Sequence, residues 1–258
     1  TQMPIAQRFD LSDRTAFITG ASKGIGFAIA RGLAELGASV VISSRNKESI
    51  EAAALALSEE GLDVTGIPCH TGEPQDIKRA LDTIAASHGQ LDIVINNAAT
   101  NPVYGPIQDT DEAVFDKIMN VNVKGPFLIC KQAFPFLLES PGASVINISS
   151  VEAIKPDTGL GLYSISKAAL SMMTKVMAKE WGQAGIRVNT ICPGLVQTKF
   201  SAALWKNPKM MEHIEKSLPL GRIAQPEEMV GLALFLASDA ASYCTGGVYL
   251  ADGGYLLA

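Results

Sequence analysis

The sequence predicts a doubly wound α/β fold, a parallel sheet covered by helices on both faces. Three observations carry that expectation. Apolar strand-like runs alternate with helix-like stretches along the 258 residues. The runs are continuous in apolar character, as strands buried on both faces are. A glycine-rich turn joins the first run to the first helical stretch, the position of the ligand crevice in such sheets.

Residues 15–19 are the first strand, and residues 24–36 a helix stopped by Gly37. A strand at 39–43 precedes an Ala-rich helix at 47–60, which Gly61 ends. Residues 63–68 form the third strand, and residues 74–87 a helix with proline at its first position and Gly89 past its end. The fourth strand is 91–95. Residues 109–138 are helical, with an interruption expected at Gly125-Pro126 because proline has no N–H to continue the ladder. A strand at 144–148, a helix at 162–181, a strand at 186–191, a helix at 226–237 and a strand at 248–251 complete about seven strands. No break in composition divides the chain, so residues 1–258 are expected to form a single domain. Residues 194–224 form a long irregular segment holding Phe200, Leu204 and Trp205. Segments of that kind in compact domains are usually functional, and a substrate lid is expected here.

Composition excludes several classes. Hydrophobic residues make up 47% and charged residues 18%, a globular profile. A net charge of −5 gives no basic field for nucleic acid or an anionic membrane. Cys69, Cys130, Cys192 and Cys244 are far apart and match neither zinc nor disulfide spacing, so reduced buried thiols are expected. The three histidines are scattered, and neither a metal nor a catalytic histidine is indicated. No apolar stretch is long enough to span a bilayer.

The turn Thr19-Gly20-Ala21-Ser22-Lys23-Gly24-Ile25-Gly26 suits a dinucleotide. Glycines let backbone approach a ligand closely, and the following helix offers free N–H groups to a pyrophosphate. Folds of this kind that bind NAD place an acid near the end of the second strand for the ribose hydroxyls. Here the stretch is Ser43-Ser44-Arg45-Asn46, with Lys23 in reach and no carboxylate. Two cations and two hydroxyls favour the 2′-phosphate of NADP(H), with NAD(H) as the alternative.

Tyr163 and Lys167, four apart before a long amphipathic run, share one helix face. A free phenol titrates near about 10, and a neighbouring cation should pull it down, which would make an acid/base device.

These pieces, taken with Asn96-Asn97-Ala98-Ala99, Asn122 in Val121-Asn122-Val123, Ser149-Ser150 and Pro193-Gly194-(x)3-Thr198, resemble the short-chain dehydrogenase/reductase family over essentially the whole chain. The resemblance implies a Rossmann fold and a set of roles. Tyr163 would be the general acid/base, Lys167 would lower its pKa and hold the nicotinamide ribose, and Ser150 would bind the substrate oxygen, with Ser149 second to it. Asn122 would hold a water linking Lys167 to solvent. Cofactor contacts would come from Gly20, Ser22, Lys23, Gly24, Ile25, Gly26, Ser44, Arg45, Asn46, His70, Asn97, Ala98, Tyr163, Lys167, Pro193, Gly194, Val196 and Thr198. His70 stands where many members have Asp against adenine, and Ala99 where many have Gly. Ser43-Ser44-Arg45, Cys69-His70 and residues 97–102 are similar to an NADP-dependent carbonyl and retinal reductase branch.

A small-molecule ketone or secondary alcohol is the implied substrate, in a pocket lined by Tyr104, Glu152, Leu162, Phe200, Leu204 and Trp205. Glu152 is expected to face solvent, as lone carboxylates usually do. The competing readings are a 3-oxoacyl-[acyl-carrier-protein] reductase, favoured by lysines between 199 and 216, an NAD-dependent alcohol or sugar dehydrogenase, and a silent NADP-binding regulator. An enoyl reductase is disfavoured because that relative spaces its Tyr and Lys more widely. The resemblance also implies a homotetramer or homodimer built on the helices near 109–138 and 162–181. With no signal-peptide pattern at the start and no peroxisomal tripeptide at the end, a cytoplasmic location is expected.

Overall fold

A computed structural model describes residues 4–257, without the side chains of residues 209, 210 and 213. The termini that bear on location, residues 1–3 and 258, lie outside the described residues. Among these, seven parallel strands form one sheet: β1 (Thr15–Thr19), β2 (Ser39–Ser44), β3 (Val64–Pro68), β4 (Ile93–Asn96), β5 (Ser144–Ile148), β6 (Arg187–Pro193) and β7 (Val248–Ala251). Their order across the sheet is β3-β2-β1-β4-β5-β6-β7. The chain winds outward one way from β1 and then the other way from β4, so a crevice opens between the ends of these two strands.

Successive side chains of a strand point to opposite faces, and here both faces are apolar. Ile18, Ile42, Ile95 and Ile146 pack with α1 (Gly24–Glu35), α2 (Lys47–Glu59) and α9 (Val230–Ala237). Their neighbours Phe17, Val41, Val94 and Val145 pack with α3 (Pro74–His88), α5 (Gly125–Glu139) and α6 (Gly161–Trp181). The continuous runs are therefore two interleaved hydrophobic faces.

Two expected elements differ in detail. The long helix is broken into α4 (Glu112–Met119) and α5 by a π turn at Asn120–Lys124. Pro126 offers no N–H to the Asn122 carbonyl, four residues back. Gly125 sits so near β3's following loop that a Cβ there would lie 2.3 Å from the Thr71 carbonyl oxygen. Residues 194–224 are not irregular throughout: they carry α7 (Ala202–Trp205) and α8 (Pro208–Ser217). A parallel bridge between Val196 and Ala224 closes the segment at its base. Among the described residues no helix is long and apolar enough to cross a membrane.

Candidate active site

Tyr163 and Lys167 lie in the first two turns of α6, on the side facing β5. The Lys167 side chain is 2% exposed, and its Nζ donates to the Ile148 carbonyl at 2.7 Å. Nζ lies 5.6 Å from the Tyr163 ring centroid. Burial brings the ammonium down to about 8, because charge is disfavoured away from water, while Cys192 nearby works in the opposite direction. The phenol does not follow the expected downward course in the cofactor-free protein. Burial pushes Tyr163 up, a hydrogen bond with Ser150 opposes that, and Glu152 and Cys192 add to the rise. The ammonium is spent on the Ile148 backbone carbonyl, and desolvation is the largest influence on the phenol.

The two serines at the end of β5 separate cleanly. Ser149 is buried; its Oγ donates to the Lys167 carbonyl at 2.9 Å and accepts from Ser171 Oγ at 2.9 Å. Ser150 caps the turn Val151–Ala153, accepting from the Glu152 N–H at 3.1 Å, and meets Tyr163. Asn122 is fully buried and its amide is committed. Oδ1 accepts from Thr100 N at 2.8 Å, and Nδ2 donates to Thr100 O and Ser166 Oγ, each at 3.0 Å. Ser166 in turn donates to the Tyr163 carbonyl at 2.7 Å, a link sequence reasoning did not single out.

Glu152 corrects an expectation. It is 7% exposed and does not face solvent. Its Oε2 accepts from Ser164 Oγ at 2.7 Å and from Asp157 N at 3.0 Å. The short turn after Ser150 points it under the start of α6, and these two local donors replace water it loses.

The glycine turn is built to receive a flat, charged ligand. Gly20 has φ +65°, and a Cβ there would lie 2.7 Å from the Ala98 Cα. Asn97 Nδ2 donates to the carbonyls of Thr19 and Gly20 at 3.0 and 2.9 Å, and a Cβ on Gly26 would lie 2.5 Å from that nitrogen. Asn97 thus clasps the turn from β4. No side chain caps α1 after Lys23, so its first N–H groups are open to a phosphate. Arg45 is exposed beyond β2, with no ion-pair partner among the described residues. Ser44 Oγ donates to the Asn46 carbonyl at 3.1 Å, and Asn46 Oδ1 caps α2 by accepting from Ser49 N at 2.7 Å. His70 Nδ1 accepts from Gly72 N at 3.0 Å, which leaves Nε2 as its remaining polar ring atom. These features fit NADP(H): an uncapped helix end, a cradle that a Cβ would fill, and a cationic edge without a carboxylate.

Residues 194–205 fold over the same crevice. A Cβ on Gly24 would lie 3.3 Å from Thr198 Cγ2. Thr198 is held from three sides: its N–H bonds Ser201 Oγ at 3.2 Å, its Oγ1 lies 3.1 Å from the same atom, and Trp205 Nε1 donates to its carbonyl at 2.8 Å. Trp205, expected in the pocket lining, therefore pins Thr198. Phe200 is 56% exposed, with its ring 6.0 Å from that of Tyr163. Leu162 and Leu204 are half-buried. Tyr104 packs where a Cβ on Gly159 would lie 2.8 Å from its ring. No cluster of metal-ligating side chains occurs among the described residues. Burial pushes the Cys69 and Cys130 thiols up to about 12, which keeps them unreactive.

A family model described as enoyl-(acyl carrier protein) reductase matches residues 20–256. Dehydrogenase/reductase SDR family member 4 of Bos taurus is 42% identical over 98% of this chain and 90% of that protein. The Homo sapiens protein of the same name is 41% identical over 97% of this chain and 90% of its own. The chain belongs to the short-chain dehydrogenase/reductase family. Solved members agree in fold. A gluconate 5-dehydrogenase from Burkholderia cenocepacia, crystallised with NADP and tartrate, is 32% identical with a TM-score of 0.93, covering 98% of each chain. A short-chain type dehydrogenase/reductase from Mycobacterium marinum is 34% identical with a TM-score of 0.91, covering 98% of this chain and 99% of that one. As a short-chain dehydrogenase/reductase, the protein is an oxidoreductase acting on C=O or CH–OH groups.

Proposed function

We propose that the protein reduces ketones with NADPH, or oxidises the matching secondary alcohols with NADP, through Tyr163, Ser150 and Lys167. The observation that carries the reading is the meeting of Ser150 and Tyr163 beside a buried Lys167, at the strand ends that also bear the glycine cradle. The nicotinamide supplies or accepts the hydride when bound. Ser150 Oγ and Tyr163 Oη both hydrogen-bond the substrate oxygen and stabilise the charge that develops on it. Tyr163 delivers its proton to that oxygen in reduction and takes it in oxidation. A phenol kept protonated by burial suits the reductive direction, since the acid form is the resting one. Lys167 replaces the lost proton, and burial, which lowers its ammonium from 10.5 to about 8 in the empty site, leaves it able to give one up. The Asn122 amide is saturated, so its backbone carbonyl would hold a relay water. Ser149, committed to Lys167 and Ser171, positions the helix and not the substrate.

Arg45 and Lys23 take the 2′-phosphate. Residues 194–224 act as the lid, with Thr198 toward the cofactor and Phe200 over Tyr163. The lining offered by Tyr104, Leu162, Phe200 and Leu204 suits an apolar or aromatic ketone. The protein assembles as a homotetramer or homodimer through the helices α4, α5 and α6.

The family model's description supplies the second reading, reduction of an acyl-carrier-protein-bound enoyl group. The spacing of Tyr163 and Lys167 favours the carbonyl reaction. Loss of NADPH absorbance is to be followed with a panel of ketones and 3-oxoacyl and enoyl thioesters. Turnover of ketones that vanishes in Tyr163→Phe, with NADPH binding intact, is the expected result. Turnover of enoyl substrates alone, or full activity in Tyr163→Phe, would overturn the reading.

A further inference from the structure

Glu152 lies where a buried carboxyl is not required by the reaction, yet three segments converge on it. It belongs to the turn whose cap is Ser150. Its Oε2 accepts from Ser164, the residue after Tyr163 on α6. The same oxygen accepts the Asp157 N–H, and the two carboxyl groups also hydrogen-bond each other. Asp157 Oδ2 accepts from the Tyr255 hydroxyl at 2.5 Å, 98 residues along the chain. Tyr255 sits in the C-terminal turn Tyr255–Leu257, which Asp252 holds by accepting from Gly254 N at 2.9 Å and Leu256 N at 3.1 Å. Lys155 Nζ lies 5.5 Å from the Tyr255 ring centroid.

We propose that Glu152 is a positioning residue: with Asp157 and Tyr255 it straps the C-terminal turn to the Ser150 turn and to α6, and so holds Ser150 against Tyr163. The inference rests on the reading of Ser150 and Tyr163 as the reacting pair. Burial raises the Glu152 carboxyl most, the bonds from Asp157 N and Ser164 oppose the rise, and the Asp157 carboxyl beside it adds to it. Glu152 therefore works as a hydrogen-bonding strut and not as a free charge. Glutamine matches that state: its carbonyl accepts from Ser164 and Asp157 N, and its NH2 donates to the Asp157 carboxylate. Alanine removes every contact and frees the Ser150 turn from α6.

The test uses the full chain, NADPH and a ketone that the native protein turns over. Glu152→Ala should lower kcat by about tenfold to a hundredfold, the scale of a small displacement of reacting groups. KM and NADPH affinity should change far less, because the cradle lies on β1, β2 and β4. Glu152→Gln should recover most of the lost kcat. Tyr255→Phe should lower kcat in the same direction, and adding it to Glu152→Ala should have little further effect, since both cut one strap. Native kcat in Glu152→Ala, or a Gln variant as impaired as the Ala variant, would overturn the proposal. If Glu152→Ala does not fold, Tyr255→Phe decides: unchanged kcat there overturns it. Tyr163→Phe run alongside separates the two levels. Activity surviving in Tyr163→Phe sinks the reading of the site, whereas a dead Tyr163→Phe with fully active Glu152→Ala and Tyr255→Phe sinks only the strap.

Discussion

A buried lysine with a backbone carbonyl as its hydrogen-bond acceptor carries a stability signature of its own. Lys167 titrates at about 8 in the folded protein against 10.5 for the free side chain. Between those values the unfolded chain binds more protons than the folded one, so this residue adds stability as pH rises from about 8 towards 10.5 and withdraws it as pH falls back across that range. From about pH 7 to about pH 10 the change is about 2–3 kcal/mol. Urea unfolding of the cofactor-free protein should therefore gain that much relative to Lys167→Met over the same range; a flat difference would mean that the ammonium is not desolvated. Arg45 offers a second residue-level test. Arg45→Asp removes a bidentate donor and sets a carboxylate beside the ribose, so the NADP/NAD ratio of kcat/KM should fall by about tenfold to a hundredfold. An unchanged ratio would remove Arg45 from the 2′-phosphate site. At this scale the sequence was legible where chemistry is local: the Tyr163 and Lys167 spacing and the missing acid after β2. Glu152 was not, because its donors Ser164 and Asp157 are ordinary residues whose convergence depends on how the turn after β5 meets α6.

Elements were legible for a related reason. Thr15–Thr19 and Ser144–Ile148 stand where their apolar runs indicate, since burial on two faces leaves little else for such runs to do. The lid was harder: α7 is a single turn, and α8 carries its apolar residues on a segment rich in charge, so neither stands out from a loop. The break between α4 and α5 shows how one residue can serve fold and site together. Gly125 lets the helix cross the Thr71 carbonyl, and Pro126 leaves the Asn122 carbonyl without its usual donor. Gly125→Ala must displace backbone on one side of that crossing. It should cost about 1–3 kcal/mol, read as a lower urea midpoint at an unchanged slope. Its kcat should fall as well, because Asn122 ties Thr100 to Ser166 three residues away. An unchanged midpoint would show that the crossing has slack.

At the scale of the whole molecule, an apolar stripe on the helices behind the site is left uncovered. Phe115, Met119, Val123 and Phe127 recur every four residues through α4, the π turn and α5, and form one stripe. Beside it on α6, Ile165, Met172 and Val176 are exposed at positions that share a helix face. Met173 closes the floor of a groove of about 380 Å³ between the two, with Met119, Val123 and Phe127 as walls. Phe127 is 44% exposed and Met172 58%. Contiguous aromatic and methionine surface of this kind marks an interface, and two copies related by a two-fold axis could pair stripe with stripe. On α6 Tyr163 and Lys167 lie on the face opposite Ile165, Met172 and Val176, so pairing would stiffen the site from behind. Phe127→Glu places a carboxylate at the groove end of the stripe, twice over across a two-fold interface, where burial without a partner is strongly unfavourable. Light scattering of the native protein should give a dimer or tetramer mass, and Phe127→Glu should shift it to lighter species with the far-ultraviolet circular dichroism retained. A native protein that is monomeric at every concentration, or a Phe127→Glu variant with native mass, would assign the stripe to something other than self-assembly.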